Sequence, residues 1–161
     1  MIQRIQSLFF LLAALCILAL LFVPFWKYDA SGSTQFLQAL SVDNIGESAT
    51  PGAISFSENP LHMGFFGLSI VIPLLLLVVI FLFNNRPRQI SLGFVALMLS
   101  LILILVMVFF SRQGPYGGFT PSEGTVQLGL AFPMVAVVLI WLGIKRVQAD
   151  EALVKSVDRI R

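Results

Sequence analysis

Residues 60–111 read PLHMGFFGLSIVIPLLLLVVIFLF, then NNRPRQ, then ISLGFVALMLSLILILVMVFFS, and this stretch decides the fold. It holds two apolar runs, residues 60–83 and 90–111, in which the only ionisable side chain is His62, near the start of the first run. Each run has about 20 residues, enough to cross a hydrocarbon core of roughly 30 Å as a helix. The sequence therefore predicts a transmembrane helical hairpin around the short turn of residues 84–89.

The composition of the whole chain indicates that lipid, and not water, surrounds most of the side chains. The 161 residues are 58% hydrophobic and 11% charged, whereas a soluble domain carries about 25% charged residues. Two further apolar runs complete four predicted spans, at about residues 7–26, 61–83, 90–111 and 126–144, of which the first is an uncleaved signal-anchor. The fold class that we predict is an all-α membrane protein, a four-helix transmembrane bundle with up-down-up-down topology in one domain.

The basic residues predict the orientation of this bundle. Short loops that carry Lys and Arg resist translocation and stay in the cytoplasm. With the arginine-bearing turn inside, the outer loops are residues 27–60 and 112–125, the tail is residues 145–161, and both termini are cytoplasmic. The inner side then holds eight basic residues and the outer side two: Arg4, Arg86, Arg88, Lys145, Arg146, Lys155, Arg159 and Arg161 against Lys27 and Arg112. This bias accounts for the pI near 9.0, so we expect no nucleic-acid binding.

The first outer loop is long enough for structure of its own. It is rich in Ser, Gly, Thr and Asp, and it contains short apolar patches that suit strands separated by turns. The candidate strands are residues 25–30, 36–42 and 53–57, and the turn-forming segments are residues 44–46 and 50–52. A small β-like extracytoplasmic cap and an irregular loop are both open interpretations.

Small residues indicate where helices approach each other closely. Gly64 and Gly67 give the second span a smooth face, and the third span carries a similar strip that includes Gly93. In that strip Ala96 and Ser100 have the four-residue spacing of a small-xxx-small motif. We predict helix packing at Gly64, Gly67, Ala96 and Ser100.

Two prolines are candidate helix kinks. Pro73 lies in the middle of the second span, where proline removes a backbone hydrogen bond. Pro133 lies near the outer end of the fourth span. Residues 125–130 alternate polar and apolar or small side chains, which predicts a strand-like start and a helix that begins about one turn later, where Pro133 is well tolerated.

Residues suited to catalysis or metal binding are scarce in this sequence. The four predicted spans contain no Asp, Glu, Lys or Arg, which argues against a proton-coupled pump or a transporter of charged substrates but leaves a pore for neutral solutes open. His62 is the only histidine and is most simply an interfacial polar residue, and Cys16 is the only cysteine. We expect no enzyme activity, no cofactor and no metal site.

The C-terminal segment is charged from Lys145 onward. Leu153, Val157 and Ile160 share one face at helical spacing, so we expect the last helix to leave the membrane and to continue, or bend, as a basic amphipathic segment. Its candidate contacts with anionic lipid or a cytoplasmic partner are Lys155, Asp158, Arg159 and Arg161.

The two ends of the chain carry a resemblance to a known family. MIQRIQSL at residues 1–8 and DEALVKSVDRIR at residues 150–161 are similar to the ends of a small bacterial membrane family of unknown function, in which Leu is common where Ile160 stands. Its members are four-span proteins of about this length. The resemblance implies a multi-pass protein of the bacterial inner membrane and supplies no activity or ligand. It also suggests that residues 156–159 do more than stop translocation, because they lie far from the membrane edge.

Three functional hypotheses follow. The first is a non-enzymatic accessory or scaffold subunit that engages a partner through its basic cytoplasmic tail. The alternative is a channel or transporter component for a neutral or lipid-like substrate, motivated by Pro73 and Pro133. The third is a membrane enzyme, for which the sequence offers no catalytic residue. The expected partners are the lipid bilayer and either another membrane protein or further copies of the chain.

Overall fold

The computed structural model describes residues 3–30, 33–37, 42–46, 60–83, 85–113 and 124–158. These residues form four α-helices and a four-stranded sheet. In chain order the elements are α1 Gln3–Ala19, β1 Trp26–Ala30, β2 Ser33–Leu37, β3 Val42–Gly46, α2 Pro60–Phe81, α3 Arg86–Gln113, β4 Gly124–Val126 and α4 Ala131–Asp158, with a 3₁₀ turn at Leu128–Leu130 before α4. The predicted helical bundle is confirmed, and a small sheet accompanies it.

The four helices close a ring around one apolar core. α1 packs against α2 and α4, and α3 packs against the same two helices. Each helix contributes fully buried side chains to the shared interior, among them Phe10, Ile17, Ile72, Leu76, Leu103, Met107 and Ile140. Burial of such large apolar side chains is the main source of cohesion within the bundle.

The outer surface of the bundle is apolar as well. Phe81 is 74% exposed and Leu105 is 68% exposed, and an apolar surface of this kind is typical of helices that face lipid. Three helical segments are long and apolar enough to span a membrane, namely Met63–Phe81, Arg86–Phe109 and Leu128–Val154, while the apolar part of α1, Gln6–Ala19, is shorter. These features agree with a membrane protein.

α1 ends earlier than the apolar run of residues 7–26 suggests. After Ala19 the N–H groups of Leu20, Leu21 and Phe22 donate to carbonyls three residues back, at 3.0–3.1 Å, which is the tight last turn common at helix ends. Pro24 disfavours helical backbone at the residue before it. The chain therefore leaves the helix and enters β1 at Trp26.

α3 begins at Arg86, inside the segment that the sequence suggested was a turn. The N–H of Gln89 donates to the carbonyl of Asn85 at 3.0 Å, which closes the first turn of the helix. Pro87 lies in that first turn, where its missing N–H removes no intrahelical bond and its fixed φ suits a helix. The basic residues of the hairpin therefore belong to α3, and the connection after α2 is short.

The sheet has the order β3-β2-β1-β4 with every neighbouring pair antiparallel. Trp26 pairs with Leu37 on one side and with Val126 on the other, so β1 joins the first loop to the segment before α4. The strand predicted at residues 25–30 and the strand-like start predicted near residue 125 are confirmed.

The remaining strand predictions need correction. The turn predicted at residues 44–46 is wrong, because Asn44 and Ile45 pair with Gln35 and Thr34 inside the ladder of β2 and β3. Backbone pairing and side-chain contacts across the sheet outweigh the local turn preference of these residues. The patch of residues 36–42 is split between the end of β2 and the start of β3, and the patch of residues 53–57 lies outside the described residues.

Candidate functional site

Polar side chains gather at one end of the bundle, where the first turns of α1 and α3 meet the C-terminal part of α4. Gln6, Arg86, Gln89 and Asp150 surround a cavity of about 10 Å³, which Ser7, Phe83 and Val147 complete. This volume is roughly the smallest that admits one water molecule. We call these four polar residues the end cluster.

Gln6 links α1 to α4. Its side chain is 6% exposed, and its amide Nε2 donates to the carboxylate Oδ2 of Asp150 and, at 3.5 Å, to the backbone carbonyl of Arg146. A buried amide without partners is costly, so these acceptors are needed where Gln6 lies. The two acceptors stand one turn apart on α4, and Gln6 therefore fixes α4 against α1.

Arg86 links α3 to the same point of α4. Its Nη1 donates to the backbone carbonyl of Asp150 at 3.2 Å, and a hydrogen bond from a charged donor is stronger than one between neutral groups. Gln6 of α1 therefore bonds to the side chain of Asp150, and Arg86 of α3 bonds to the backbone carbonyl of Asp150. Residue 150 is thereby held by two other helices.

Gln89 ties the helical hairpin together. Its side chain is 3% exposed, and its Nε2 donates to the carbonyl of Val79 at 3.1 Å. Val79 lies in the last turn of α2, where helix carbonyls run out of intrahelical donors. Gln89 supplies a donor that the helix itself does not have.

α4 continues without a break through the end cluster to Asp158. The sequence left open whether this segment continues or bends, and the structure shows a continuous helix. Beyond Asp150, Leu153 is 60% exposed and Val154 is 47% exposed. This segment is called the α4 extension, residues 151–158.

The candidate partner-binding residues lie on or beyond the α4 extension. The backbone of Lys155 and of Asp158 belongs to α4, while their side chains, together with Arg159 and Arg161, lie outside the described residues. Their role in contacting lipid or a partner stays a prediction.

A cation–π contact lies on α4 before the end cluster. The Nζ atom of Lys145 is 5.7 Å from the ring centroid of Trp141, within the distance of a favourable contact. Trp141 is about half exposed. An exposed Trp beside a Lys is typical of the boundary between hydrocarbon and water.

Ala96 and Ser100 lie in the bundle interior. Both are fully buried, and the Ser100 hydroxyl donates to the Ala96 carbonyl at 2.8 Å. Gly64 and Gly67 differ, because a Cβ atom added at either would meet no atom of the described residues within 4 Å. Within the described chain, these two glycines do not mediate the close helix contact expected of them.

The close contact forms around Phe10 instead. An added Cβ at Gly143 of α4 would lie 2.9 Å from the Phe10 ring atoms Cε1 and Cζ, and one at Gly93 of α3 would lie 2.9 Å from Cγ1 of Ile144 and 3.9 Å from Phe10 Cε1. Sequence reasoning noted Gly93 in a small-residue strip and missed Gly143. The signal for Gly143 is weak, since a single glycine near the end of an apolar run predicts no partner.

The two candidate kink residues occupy different environments. Pro73 is buried within the continuous helix α2, and a kink there stays a prediction. Pro133 is the third residue of α4, which directly follows the 3₁₀ turn Leu128–Leu130. A kink at Pro133 also stays a prediction.

Residues suited to metal binding are dispersed in the described part of the chain. Within it, no three of the His, Cys, Asp and Glu side chains lie together as a metal site would require. The thiol of Cys16 is free and half-buried in α1. His62 belongs to the first turn of α2, and its side chain lies outside the described residues.

Fold and sequence together define a helical-bundle protein in which three helices are long and apolar enough to span a membrane. A family model described as a domain of unknown function (DUF4293) matches residues 2–160. Because the match covers nearly the whole chain, the protein belongs to this family, and the resemblance to an uncharacterised family is confirmed. No curated protein matches the chain.

Proposed function

We propose that the protein is a non-enzymatic accessory or scaffold subunit of the bacterial inner membrane, which engages a partner protein through its basic cytoplasmic tail. The observation that carries this proposal is the attachment of α4 at Asp150 by Gln6 and Arg86. The attachment gives the α4 extension a fixed base on the bundle.

The proposed orientation places the end cluster at the cytoplasmic side. The start of α1, the start of α3 and the distal part of α4 share this end through Gln6, Arg86 and Asp150. The other basic residues of these segments include Arg88, Lys145 and Arg146, and cytoplasmic placement satisfies the positive-inside rule. In this up-down-up-down arrangement both termini are cytoplasmic and the sheet forms an extracytoplasmic cap.

The packed interior of the bundle favours a scaffold protein over a channel. Residues from all four helices fill the core with fully buried apolar side chains. The buried hydroxyls of Ser69, Ser100 and Ser111 each donate to a carbonyl of their own helix, at 2.7–2.8 Å, and so are already used within the bundle. A channel component for a neutral or lipid-like substrate stays the alternative prediction, and flux into liposomes tests it.

A fixed base makes the α4 extension a better recognition element. A short isolated helix is marginal in water because its nucleation is unfavourable, whereas here the helix is already formed at Asp150 and needs only to propagate. A preordered segment also loses less conformational entropy when it binds. Leu153 and Val154 are exposed on this segment.

Co-purification tests this proposal. The tagged protein is extracted from its native membrane in mild detergent, as wild type, as a truncation lacking residues 155–161, and as the control Lys27→Gln, which removes a basic residue of β1. We expect a stoichiometric partner with wild type and control and its loss on truncation, with equal membrane insertion in all three. A partner retained by the truncated protein, or none with wild type, contradicts the proposal.

A further inference from the structure

An open groove lies where the end of α2 meets the start of α3. Its volume is about 390 Å³, and it is lined by Leu82, Pro87, Arg88, Ser91 and Leu92. This volume lies in the range of about 300–1,000 Å³ that is usual for ligand sites. The groove shares no lining residue with the cavity of the end cluster.

The lining combines apolar walls with one cationic group. Leu82, Pro87 and Leu92 supply apolar surface, while Arg88 and Ser91, three positions apart on α3, stand on neighbouring turns of the same helix face. An arginine guanidinium matches the geometry of phosphate oxygens, and a serine hydroxyl adds one further donor. Such a lining suits a ligand with an anionic head and an apolar body.

The electrostatic setting favours an anion at this place. The groove lining contains no acidic side chain. The neighbouring Arg86 does not line the groove, and its guanidinium donates to the Asp150 carbonyl. In the orientation proposed above, the groove lies at the cytoplasmic surface of the membrane, where anionic lipid headgroups concentrate.

We propose that this groove binds the headgroup region of one anionic phospholipid. Arg88 and Ser91 hold the phosphate, and Leu82 and Leu92 contact the upper part of an acyl chain. The proposal depends on membrane location and on the cytoplasmic position of the hairpin, and it is independent of the partner proposed for the tail.

Native mass spectrometry of the full-length protein in detergent tests this site. The probes are phosphatidylglycerol and the zwitterionic phosphatidylethanolamine, each added at the same concentration. Arg88→Gln removes the cation, and Ser91→Trp fills the groove without changing the charge. Lys145→Gln is the matched control, because it removes a basic residue from α4, whose residues do not line the groove.

We expect wild type and Lys145→Gln to bind phosphatidylglycerol in preference to phosphatidylethanolamine. We expect Arg88→Gln to lower this binding about fivefold, the effect of one basic residue near an anionic surface, and Ser91→Trp to lower it at least as much. Equal binding of the two lipids, unchanged binding by Arg88→Gln, or an equal loss with Lys145→Gln overturns the proposal. Displacement of the lipid by an equimolar amount of inorganic phosphate also overturns it, since the apolar walls would then contribute nothing.

Discussion

The side-chain amide of Gln6 donates to the carboxylate of Asp150, joining residues that lie 144 positions apart in the sequence. This bond connects the first turns of α1 to α4 at the point where the α4 extension begins. Arg86 reaches the backbone of the same residue from α3. The direction of the α4 extension is thus determined by contacts at its base.

Removing the amide of Gln6 should loosen the α4 extension. In Gln6→Ala the Asp150 carboxylate loses a donor in a partly buried position, which costs about 1–3 kcal/mol locally. We expect backbone amides of residues 151–158 to exchange with deuterium at least about five times faster, because local opening becomes easier. The measurement is hydrogen–deuterium exchange in detergent micelles.

The matched control for this experiment is Gln127→Ala. Gln127 donates from Nε2 to the Thr125 hydroxyl at 3.3 Å in an exposed bond beside the sheet, so its loss should leave the exchange of α4 unchanged. Equal exchange of residues 151–158 in Gln6→Ala and wild type would show that Gln6 does not hold the extension.

Replacing Gln89 should weaken the hairpin of α2 and α3. Gln89→Leu keeps a similar volume but leaves the Val79 carbonyl without its buried donor, at a cost of about 1–3 kcal/mol. Ser100→Ala is the control, because the Ala96 carbonyl keeps its helical N–H partner when the hydroxyl is lost. Thermal unfolding in detergent should show a clearly lower midpoint for Gln89→Leu alone, and similar midpoints for both variants would refute this role.

Replacing Gly143 and Gly64 by alanine should change the stability of the protein in opposite directions, because only Gly143 lies against Phe10. Gly143→Ala places a methyl group against the buried ring, and overpacking of this kind typically costs about 1–3 kcal/mol. Gly64→Ala adds a methyl group where no atom of the described residues lies within 4 Å, and it improves helix propensity. Unfolding midpoints should fall for Gly143→Ala and stay level or rise for Gly64→Ala. The reverse order would contradict the packing described around Phe10.

Cysteine labelling tests the proposed orientation. With Cys16 replaced by Ser, single cysteines are introduced at Thr125 in β4 and at Ala152 in the α4 extension, both of which are exposed. A membrane-impermeant maleimide should label position 125 in intact spheroplasts and position 152 only after permeabilisation. Labelling of position 152 in intact spheroplasts, with position 125 labelled only after permeabilisation, would show that the protein has the opposite orientation.

The apolar helices were predictable from the sequence because length and hydropathy are local properties. The runs at residues 60–83 and 90–111 became α2 and α3 with changes only at their ends. Pro24 explains the early end of α1, and Pro87, in the first turn, explains the early start of α3.

The long-range contacts were not predictable from a single sequence. The pairing of Trp26 with Val126 and the bond from Gln6 to Asp150 join segments that are distant in the chain, and no local pattern specifies either one. The same limit explains the helix-packing result. Gly64 and Gly143 are the same residue type, and only the arrangement of the bundle places Phe10 against Gly143.

Site-specific photo-crosslinking in the native membrane shows whether a partner protein contacts the cytoplasmic tail at the α4 extension, as proposed. A photo-reactive residue at Leu153, which is exposed beyond Asp150, is compared with one at Met134, which is exposed near the start of the same helix. We predict a protein adduct of defined mass from position 153 and none from position 134. An adduct from position 134 alone, or none from either position, would show that the α4 extension does not contact a partner.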